Sequence, residues 1–333
     1  MRNIPKILIT PGEPSGIGFD ILLEVFKYTY QAKIVAITNI ELLKERAKIL
    51  KKKINIVEVD LNDNNLPSSN TKNIYVHNIK NKRKVEIGKP NIFHAPLILE
   101  SLNIAIDSCL KNKVDAMVTG PVQKNIIMKY GEKFTGHTEY IANKTGGTPI
   151  MMLHSKNLKI ALLTTHIPLS QVSKLITKKR IESYIKIIDK DLYEKFGIKE
   201  PKISICGLNP HAGENGYIGN EEKNIILPAI KNMNNKGYNV HGPYSADTIF
   251  TKKDTGIILA MYHDQALPVI KTLGFGSIVN TTLGLPIIRT SVDHGTAIDI
   301  AGTGKADEGS LKNAIKASIS IVNKQNVKKY KTK

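Results

Sequence analysis

Short runs of β-branched and apolar residues alternate along this chain with longer stretches whose apolar positions return at the helical period. Residues 6–10, 34–38, 54–59, 74–77 and 114–119 are predicted strands. Ile98, Leu99, Leu102, Ala105, Ile106, Cys109 and Leu110 fall on one stripe and predict a helix. The rhythm resumes with predicted strands at 150–153, 158–164, 203–206 and 257–261, and helices near 178–195 and 221–234. Strands that alternate with helices in this way argue for mainly parallel sheets and an α/β chain of two lobes. Residues 62–73, full of Asn, Ser and Pro, read as a surface loop, and the tail after Asn323 as frayed.

Length and composition narrow the class. The 333 residues favour two domains at a prior of ~100–200 residues each and are ample for a buried core. Cys109 and Cys206 are the only cysteines and sit in apolar runs, where a thiol packs as a small hydrophobe, so a reducing cytoplasm is expected. The first residues, Met-Arg-Asn-Ile-Pro-Lys and a short apolar run before Pro11, fall short of a secretory segment or a span of ~20 apolar residues. No membrane association is expected. The formal charge of +19 raises the question of nucleic acid. Its lysine runs at 51–53, 80–84, 178–180 and 328–333 are scattered and carry few interleaved aromatics, which favours solvated faces over a specific nucleic-acid surface. A non-specific polyanion binder, or steering of phosphorylated substrates, stays open on this ground alone.

Candidate chemistry gathers where predicted strands end, the place where open α/β sheets bind ligands. His166 ends the run Ala161-Leu-Leu-Thr-Thr-His166, His211 follows the strand at 203–206 through Gly-Leu-Asn-Pro, and His263 follows Ile257-Ile-Leu-Ala-Met-Tyr. Any one such histidine is more often a satisfied polar residue. Three in the same context could converge on one divalent metal with positions left for substrate. Gly12-Glu-Pro-Ser-Gly-Ile-Gly18 follows the first strand and opens a helix, yet it has neither the dinucleotide fingerprint nor the P-loop spacing. It is a tight strand-to-helix turn or an anion-facing one. Lys271, Asn280 and Arg289 lie among apolar and glycine residues between 262 and 304, which suggests a walled pocket for a phosphate and a carboxylate, or else ordinary surface cations.

Seven motifs in order carry a resemblance that covers nearly the whole chain. Gly12-Glu-Pro-Ser-Gly-Ile-Gly18, Thr119-Gly-Pro-Val, Gly136-His-Thr-Glu139, Leu208-Asn-Pro-His-Ala-Gly-Glu214, Gly242-Pro-Tyr-Ser-Ala-Asp247, Tyr262-His-Asp-Gln-Ala266 and Asp293-His-Gly-Thr-Ala297 together resemble the 4-hydroxythreonine-4-phosphate dehydrogenase family of vitamin B6 synthesis. His294-Gly-Thr-Ala-Ile-Asp-Ile-Ala-Gly302 is also similar to the cofactor loop of the isocitrate and isopropylmalate dehydrogenase superfamily. Glu13 stands where many relatives carry Asp, and Phe19 follows the glycines where Pro is common.

The resemblance implies two layered α/β/α domains of the isopropylmalate dehydrogenase-like fold with a cleft between them. Their expected extents are 1–130 plus 268–333, and 131–267. It implies a homodimer with shared active sites. His166, His211 and His263 would be ligands of one divalent metal per subunit, Zn, Co or Mg. His137, Thr138, Lys271, Asn280 and Arg289 would hold substrate, and His294, Gly295, Thr296 and Asp299 would lie along NAD or NADP. Lys271 is a candidate for proton transfer or for holding the phosphate, and Asp247 and Asp264 match acidic positions beside the metal. The implied reaction is oxidation of 4-phosphohydroxy-L-threonine to 2-amino-3-oxo-4-phosphooxybutanoate. That β-keto acid then loses CO2 to give 3-amino-2-oxopropyl phosphate, in pyridoxal 5′-phosphate biosynthesis. A sister dehydrogenase acting on a phosphorylated threonate or erythronate, and a phosphate acyltransferase of related architecture, are the rival enzyme readings.

Overall fold

A computed structural model describes residues 4–331 apart from 64, 82, 156, 157 and 275–277; Lys82 of the basic run 80–84 and residues 332–333 of the basic tail thus lie outside the described residues. The chain divides into two compact units, Met1–Gly147 with Leu285–Lys333, and Thr148–Gly284. The sequence expectation had drawn these borders at 130/131 and 267/268. Both crossings fall instead at glycine turns. Gly146 and Gly147 have positive φ, and so has Gly284, where a Cβ would lie 2.0 Å from the Thr148 carbonyl oxygen. His137 and Thr138 therefore belong to the first unit, and Lys271 and Asn280 to the second.

The first unit begins with β1 (Lys6–Thr10), α1 (Gly18–Val25), β2 (Lys33–Thr38), α2 (Ile40–Ile49), β3 (Asn55–Glu58) and β4 (Asn73–Asn78). It continues with α3 (Ala95–Leu110), β5 (Ala116–Thr119), α4 (Lys124–Lys129) and α5 (His137–Thr145). The second unit holds β6 (Ile150–His154), β7 (Lys159–Leu162), α6 (Leu169–Leu175), α7 (Lys178–Phe196), β8 (Ile203–Cys206) and α8 (Leu227–Asn235). After these come β9 (Val240–Tyr244), α9 (Ala246–Ile249), β10 (Ile257–Ala260), α10 (His263–Gly274) and β11 (Val279–Leu283). The chain then returns to the first unit as β12 (Ile288–Ser291) and α11 (Gly309–Lys331).

In the first unit the strands run in the order β3-β4-β2-β1-β5-β12 and every pair is parallel. A parallel sheet is covered on both faces, so its strands must be apolar at successive positions. Leu8, Val35, Ile37, Tyr75 and Met117 pack with Ile98, Leu102, Ala105 and Ile106 of α3. The alternate residues Ile7, Ile9, Ile34, Ala36, Ile74 and Val76 are equally buried, and α11 packs on β12, β5 and β1. The predicted stripe of α3 is thus its core face from Ile98 to Cys109, whereas Leu110, at the end of the helix, is exposed.

The second unit has the order β11-β6-β7-β10-β8-β9. Pairs β7–β10, β10–β8 and β8–β9 are parallel, but β11–β6 and β6–β7 are antiparallel, which departs from the mainly parallel expectation. Only four residues separate His154 from Lys159, too few for a crossover, so β6 must turn back on itself. Thr177 caps α7 by accepting the Arg180 N–H at 3.3 Å, and Gly197 at φ 69° closes that helix. Strands β9, β11 and β12 and helices α2, α4, α5, α6, α9 and α10 were not predicted. Asn280, Thr281 and Thr282 break the apolar pattern of β11, although all five of its residues are buried. Helix α11 is regular to Lys331, past the expected fraying point at Asn323. Among the described residues no helix is long and apolar enough to cross a membrane.

Candidate active site

Strands β7, β10 and β8 are consecutive parallel neighbours, in the register Leu162↔Ala260 and Leu259↔Ile205. Their carboxyl ends point the same way, and His166, His263 and His211 follow those three ends. The Thr164 hydroxyl donates to the Met261 carbonyl at 2.7 Å and fastens the end of β7 to that of β10. Gln265 fastens β10 to β8: its Oε1 accepts the Met261 N–H and its Nε2 donates to the Gly207 carbonyl, both at 2.7 Å. The rings of His166 and His263 consequently stand 5.5 Å apart, centroid to centroid. Nδ1 of His263 bonds Oδ1 of Asp264 at 2.6 Å, which fixes that ring and turns Nε2 away from the carboxylate.

His211 sits on an unusual backbone. Residues 211–215 all have left-handed φ, from 42° to 77°, and four of the five are not glycine. Such strain persists only where the surroundings enforce it. The chain is fixed just before this stretch by Glu222, 5% exposed, whose Oε1 accepts the N–H groups of Leu208 and Asn209 at 2.7 Å and whose Oε2 accepts the Asn209 side-chain amide at 2.9 Å. Asp247 lies within electrostatic reach of His211; the Ser245 hydroxyl, before any other cause, holds its carboxyl below the usual range. Among the described residues no group of three His, Cys, Asp or Glu side chains is arranged to hold a metal ion. The structure therefore brings His166 and His263 together and leaves His211 on its own loop.

In the first unit the chemistry is buried. Arg289 on β12 is 3% exposed; its Nη2 and Nε donate to the Thr119 hydroxyl at 2.8 and 3.2 Å, and Nη1 to the Thr138 hydroxyl at 3.4 Å. Burial brings its pKa down to about 10, against the pull of Glu139, so it remains a cation at neutral pH. Burial, then the charges of Arg289 and Lys124, hold the His137 imidazole well below its ordinary range and keep it neutral. Sheet order sets Arg289 of β12 beside Thr119 of β5, and α5, packed on α3, brings His137 and Thr138 at its start to the cluster.

The segment after β12 carries His294, Gly295, Thr296 and Asp299. Gly295 and Asp299 are exposed and Thr296 is buried, its hydroxyl accepting from the Gln123 amide at 3.2 Å. His294 spends Nδ1 on the Gly295 carbonyl. Its Nε2 has no partner, and the same holds for His137 Nε2 and Asn280 Oδ1, three of the few buried polar side-chain atoms so placed among the described residues. Each such atom calls for a partner from outside the chain, a water, an ion or a ligand. Lys271 is exposed in the last turn of α10.

Sequence reasoning missed Gln265 and Glu222, and it missed two buried polar pairs under the glycine turn. Glu13, fully buried, accepts from the Ser15 hydroxyl at 2.7 Å and pairs with His94 Nδ1 at 2.6 Å. Asp20 and Arg46 form a second buried pair. A lone acid or arginine in a helical pattern gives no sign that it will be buried opposite its counter-charge. Only the unusual Glu at position 13 drew notice in the sequence.

These features define a two-unit α/β protein of the isopropylmalate dehydrogenase-like fold with nitrogen donors gathered at strand ends. The chain belongs to the family described as pyridoxal phosphate biosynthetic protein PdxA, whose profile matches residues 30–318. It is 47% identical over 320 residues to the 4-hydroxythreonine-4-phosphate dehydrogenase of Pseudoalteromonas translucida (strain TAC 125), covering 95% of this chain and 97% of that protein. The crystal structure of 4-hydroxythreonine-4-phosphate dehydrogenase from Klebsiella pneumoniae superposes with a TM-score of 0.86 at 34% identity, over 96% of this chain and 99% of that one. The corresponding enzyme from Burkholderia phymatum gives a TM-score of 0.81 at 32% identity, over 96% and 98%.

Proposed function

We propose that this protein is a nicotinamide-dependent 4-hydroxythreonine-4-phosphate dehydrogenase that oxidises 4-phosphohydroxy-L-threonine at its secondary alcohol and releases 3-amino-2-oxopropyl phosphate and CO2. Family membership and full-length relatives bearing that name support the reading. The observation that carries it is the placement of three histidines beyond adjacent parallel strands, two of them already at ligand spacing. Two imidazoles bound at about 2.0–2.1 Å to one tetrahedral ion place their ring centres about 5 Å apart, close to the spacing of His166 and His263. The donor set fits a divalent metal held by His166, His211 and His263. Imidazole nitrogen suits Zn or Co better than Mg, which prefers oxygen. His211 would be the third donor beside His166 and His263, and a homodimer with shared active sites belongs to the same reading.

When bound along His294, Gly295, Thr296 and Asp299, a nicotinamide would supply hydride-acceptor chemistry, and a divalent metal held by His166, His211 and His263 would supply Lewis-acid polarisation of a substrate oxygen, which favours oxidation and loss of CO2 from a β-keto acid. The protein's own groups do the rest. Arg289, a fixed cation locked by Thr119 and Thr138, binds an anionic group of the substrate through its planar fork. His137, held neutral, donates or accepts one hydrogen bond through Nε2 without adding charge. Asn280 offers Oδ1 to a hydroxyl or ammonium of the substrate. Lys271 holds the phosphate or returns the proton to the product carbon after CO2 departs. Asp264 orients His263, and Asp247 faces His211. His294, Gly295, Thr296 and Asp299 line the nicotinamide cofactor, NAD or NADP. We place the enzyme in the cytoplasm, a setting that suits its two unpaired, buried thiols.

The test is formation of reduced nicotinamide from 4-phosphohydroxy-L-threonine by purified protein, before and after exhaustive chelation, with a phosphorylated threonate alongside. Turnover of the amino substrate that disappears on chelation and returns with Zn or Co is expected. Full activity after chelation would remove the metal from the scheme, and a preference for the threonate would transfer the protein to the sister reaction.

A further inference from the structure

The segment 293–304 contains a strained residue. Ala297 has φ +37°, a left-handed conformation that side chains other than glycine seldom adopt. Two ties bracket it. The Ile17 N–H donates to the Thr296 carbonyl at 2.9 Å, with Gly16 so close that a Cβ there would lie 2.7 Å from the same oxygen. The Gly302 N–H donates to Oδ2 of Asp20 at 2.7 Å.

Both ties originate in the turn and first helical residues that follow β1, and one side chain holds that turn together. Arg46 of α2, 3% exposed, donates from Nη2 to the Pro14 carbonyl at 2.8 Å and from Nη1 to the Gly16 carbonyl at 2.9 Å, and it also pairs with Oδ1 of Asp20. Asp20, 1% exposed, thus bridges Arg46 on one oxygen and Gly302 on the other. A planar fork that satisfies two carbonyls and a carboxylate at once cannot be copied by a lysine. Arg46 and Asp20 touch neither the exposed face of Gly295 and Asp299 nor any strand-end histidine named above.

We propose that the buried Arg46–Asp20 pair is a positioning device for the nicotinamide cofactor, acting through Thr296 and Gly302 to hold the intervening backbone in its strained, binding-ready shape. The inference rests on the reading of 293–304 as the cofactor segment. It assigns to Arg46 and Asp20 control of cofactor affinity and no part in metal or substrate binding.

The experiment compares wild type with Asp20→Asn, Arg46→Lys and Arg46→Met, each first shown to keep its native circular dichroism. NADH and NADPH binding are followed by fluorescence in the absence of substrate, KM is measured separately for the oxidised cofactor and for the phosphorylated alcohol, and bound metal is counted. The expected result is a rise of about tenfold or more in cofactor KM and in Kd for the reduced cofactor, larger for Met than for Lys. The alcohol KM should move less than about twofold, with metal content unchanged. Should the charge variants fail to fold, Gly302→Ala tests the same tie, because a Cβ there meets Ile87 side-chain carbons at 3.1 and 3.2 Å at a φ of +73°. Unchanged cofactor affinity, or equal losses for cofactor and alcohol, would overturn the positioning role. A wild type that binds neither reduced cofactor would instead remove the cofactor reading, and the proposal with it.

Discussion

The two units handle polar chemistry in opposite ways. In the first, most charged groups near the proposed site are buried, Gly295 and Asp299 being exposed: Arg289 and Asp20 are almost sealed from solvent, as are Glu13, His94 and Arg46, and hydrogen bonds pin each of them. In the second, His166 and His211 are exposed at strand ends, while the buried pair Asp191 with Lys195 and the half-buried His154 with Thr281 stand within the packing. The Asp191 carboxylate, for example, accepts both Lys195 Nζ and the Gly284 N–H and so fixes the turn where the chain leaves the unit. A buried cation has paid its desolvation cost in folding and gives a rigid anion grip. An exposed imidazole keeps its lone pair available to a metal that must arrive from solution. Function and stability should therefore be coupled in the first unit and separable in the second.

The largest effect expected from this contrast is on His263→Ala. Loss of one imidazole from the proposed metal site should remove bound metal and lower kcat by about 10³-fold or more, roughly 4 kcal/mol of transition-state stabilisation. Thermal unfolding should stay within about 0.5 kcal/mol of the parent, as for other partly exposed positions. Metal analysis and a melting curve on one preparation check both halves. A variant that unfolds early would mean that the strand-end histidines hold the unit together, and the contrast would fail.

Arg289→Lys comes next and should fail on both counts. The ammonium can reach only one of the two hydroxyls that the fork now serves, and it leaves polar groups unpaired in a buried place. An increase of about tenfold to a hundredfold in KM for the phosphorylated substrate is expected, with about 2 kcal/mol lost in denaturant unfolding. A rise in KM with unaltered stability would show that the first unit, too, separates the two.

How far the chain's pattern carried these conclusions differs between the units for a physical reason. The first-unit strands were legible because a sheet buried on both faces demands continuous apolar runs, and those at β1, β2, β4 and β5 stand out. β11 was not legible, since Asn280, Thr281 and Thr282 interrupt its apolar run and its pairing partner β6 is far away in sequence. The strand-end histidines could be read because a polar residue after an apolar run is a local signal. The juxtaposition of His166 with His263 could not, because it depends on β7 and β10 being neighbours. The buried polar pairs beneath the glycine turn were hidden for the same reason: Arg46 and Asp20 lie 26 residues apart, on two different helices.

A smaller effect, confined to acid pH, is expected at His154, which packs edge-on against Phe196 and bonds the Thr281 hydroxyl at 2.9 Å. Burial, then Lys159, brings its pKa down to about 4. The unfolded chain takes up a proton on this ring near pH 6.5 while the folded one does not, so the unfolded state binds more protons between those values. Stability must then fall as pH drops from about 6.5 toward 4, by up to roughly 2–3 kcal/mol over the whole window. His154→Leu should flatten that part of the stability curve and leave kcat and both KM values unchanged at neutral pH. Urea unfolding at pH 5 and pH 7.5 reads the difference. An altered kcat would place His154 in the active site and blur the division between structural and chemical groups in this unit.

The mildest perturbation is Thr177→Ala at the start of α7. Its hydroxyl satisfies the Arg180 N–H, one of the amides that the helix cannot bond internally, and α7 presents Ile181, Ile185, Ile188 and Leu192 to the core. Removing the cap should cost about 1 kcal/mol, seen as a small drop in the denaturation midpoint with an unchanged slope. Because the cap acts on the Arg180 amide and α7 packs on α8 and β11, metal affinity should be untouched. Thr177→Ser, which retains the acceptor oxygen, should recover most of the loss. If the alanine variant instead lost metal in proportion to its stability, the exposed imidazoles would depend on the unit's overall rigidity, and their separation from the fold would be one of degree.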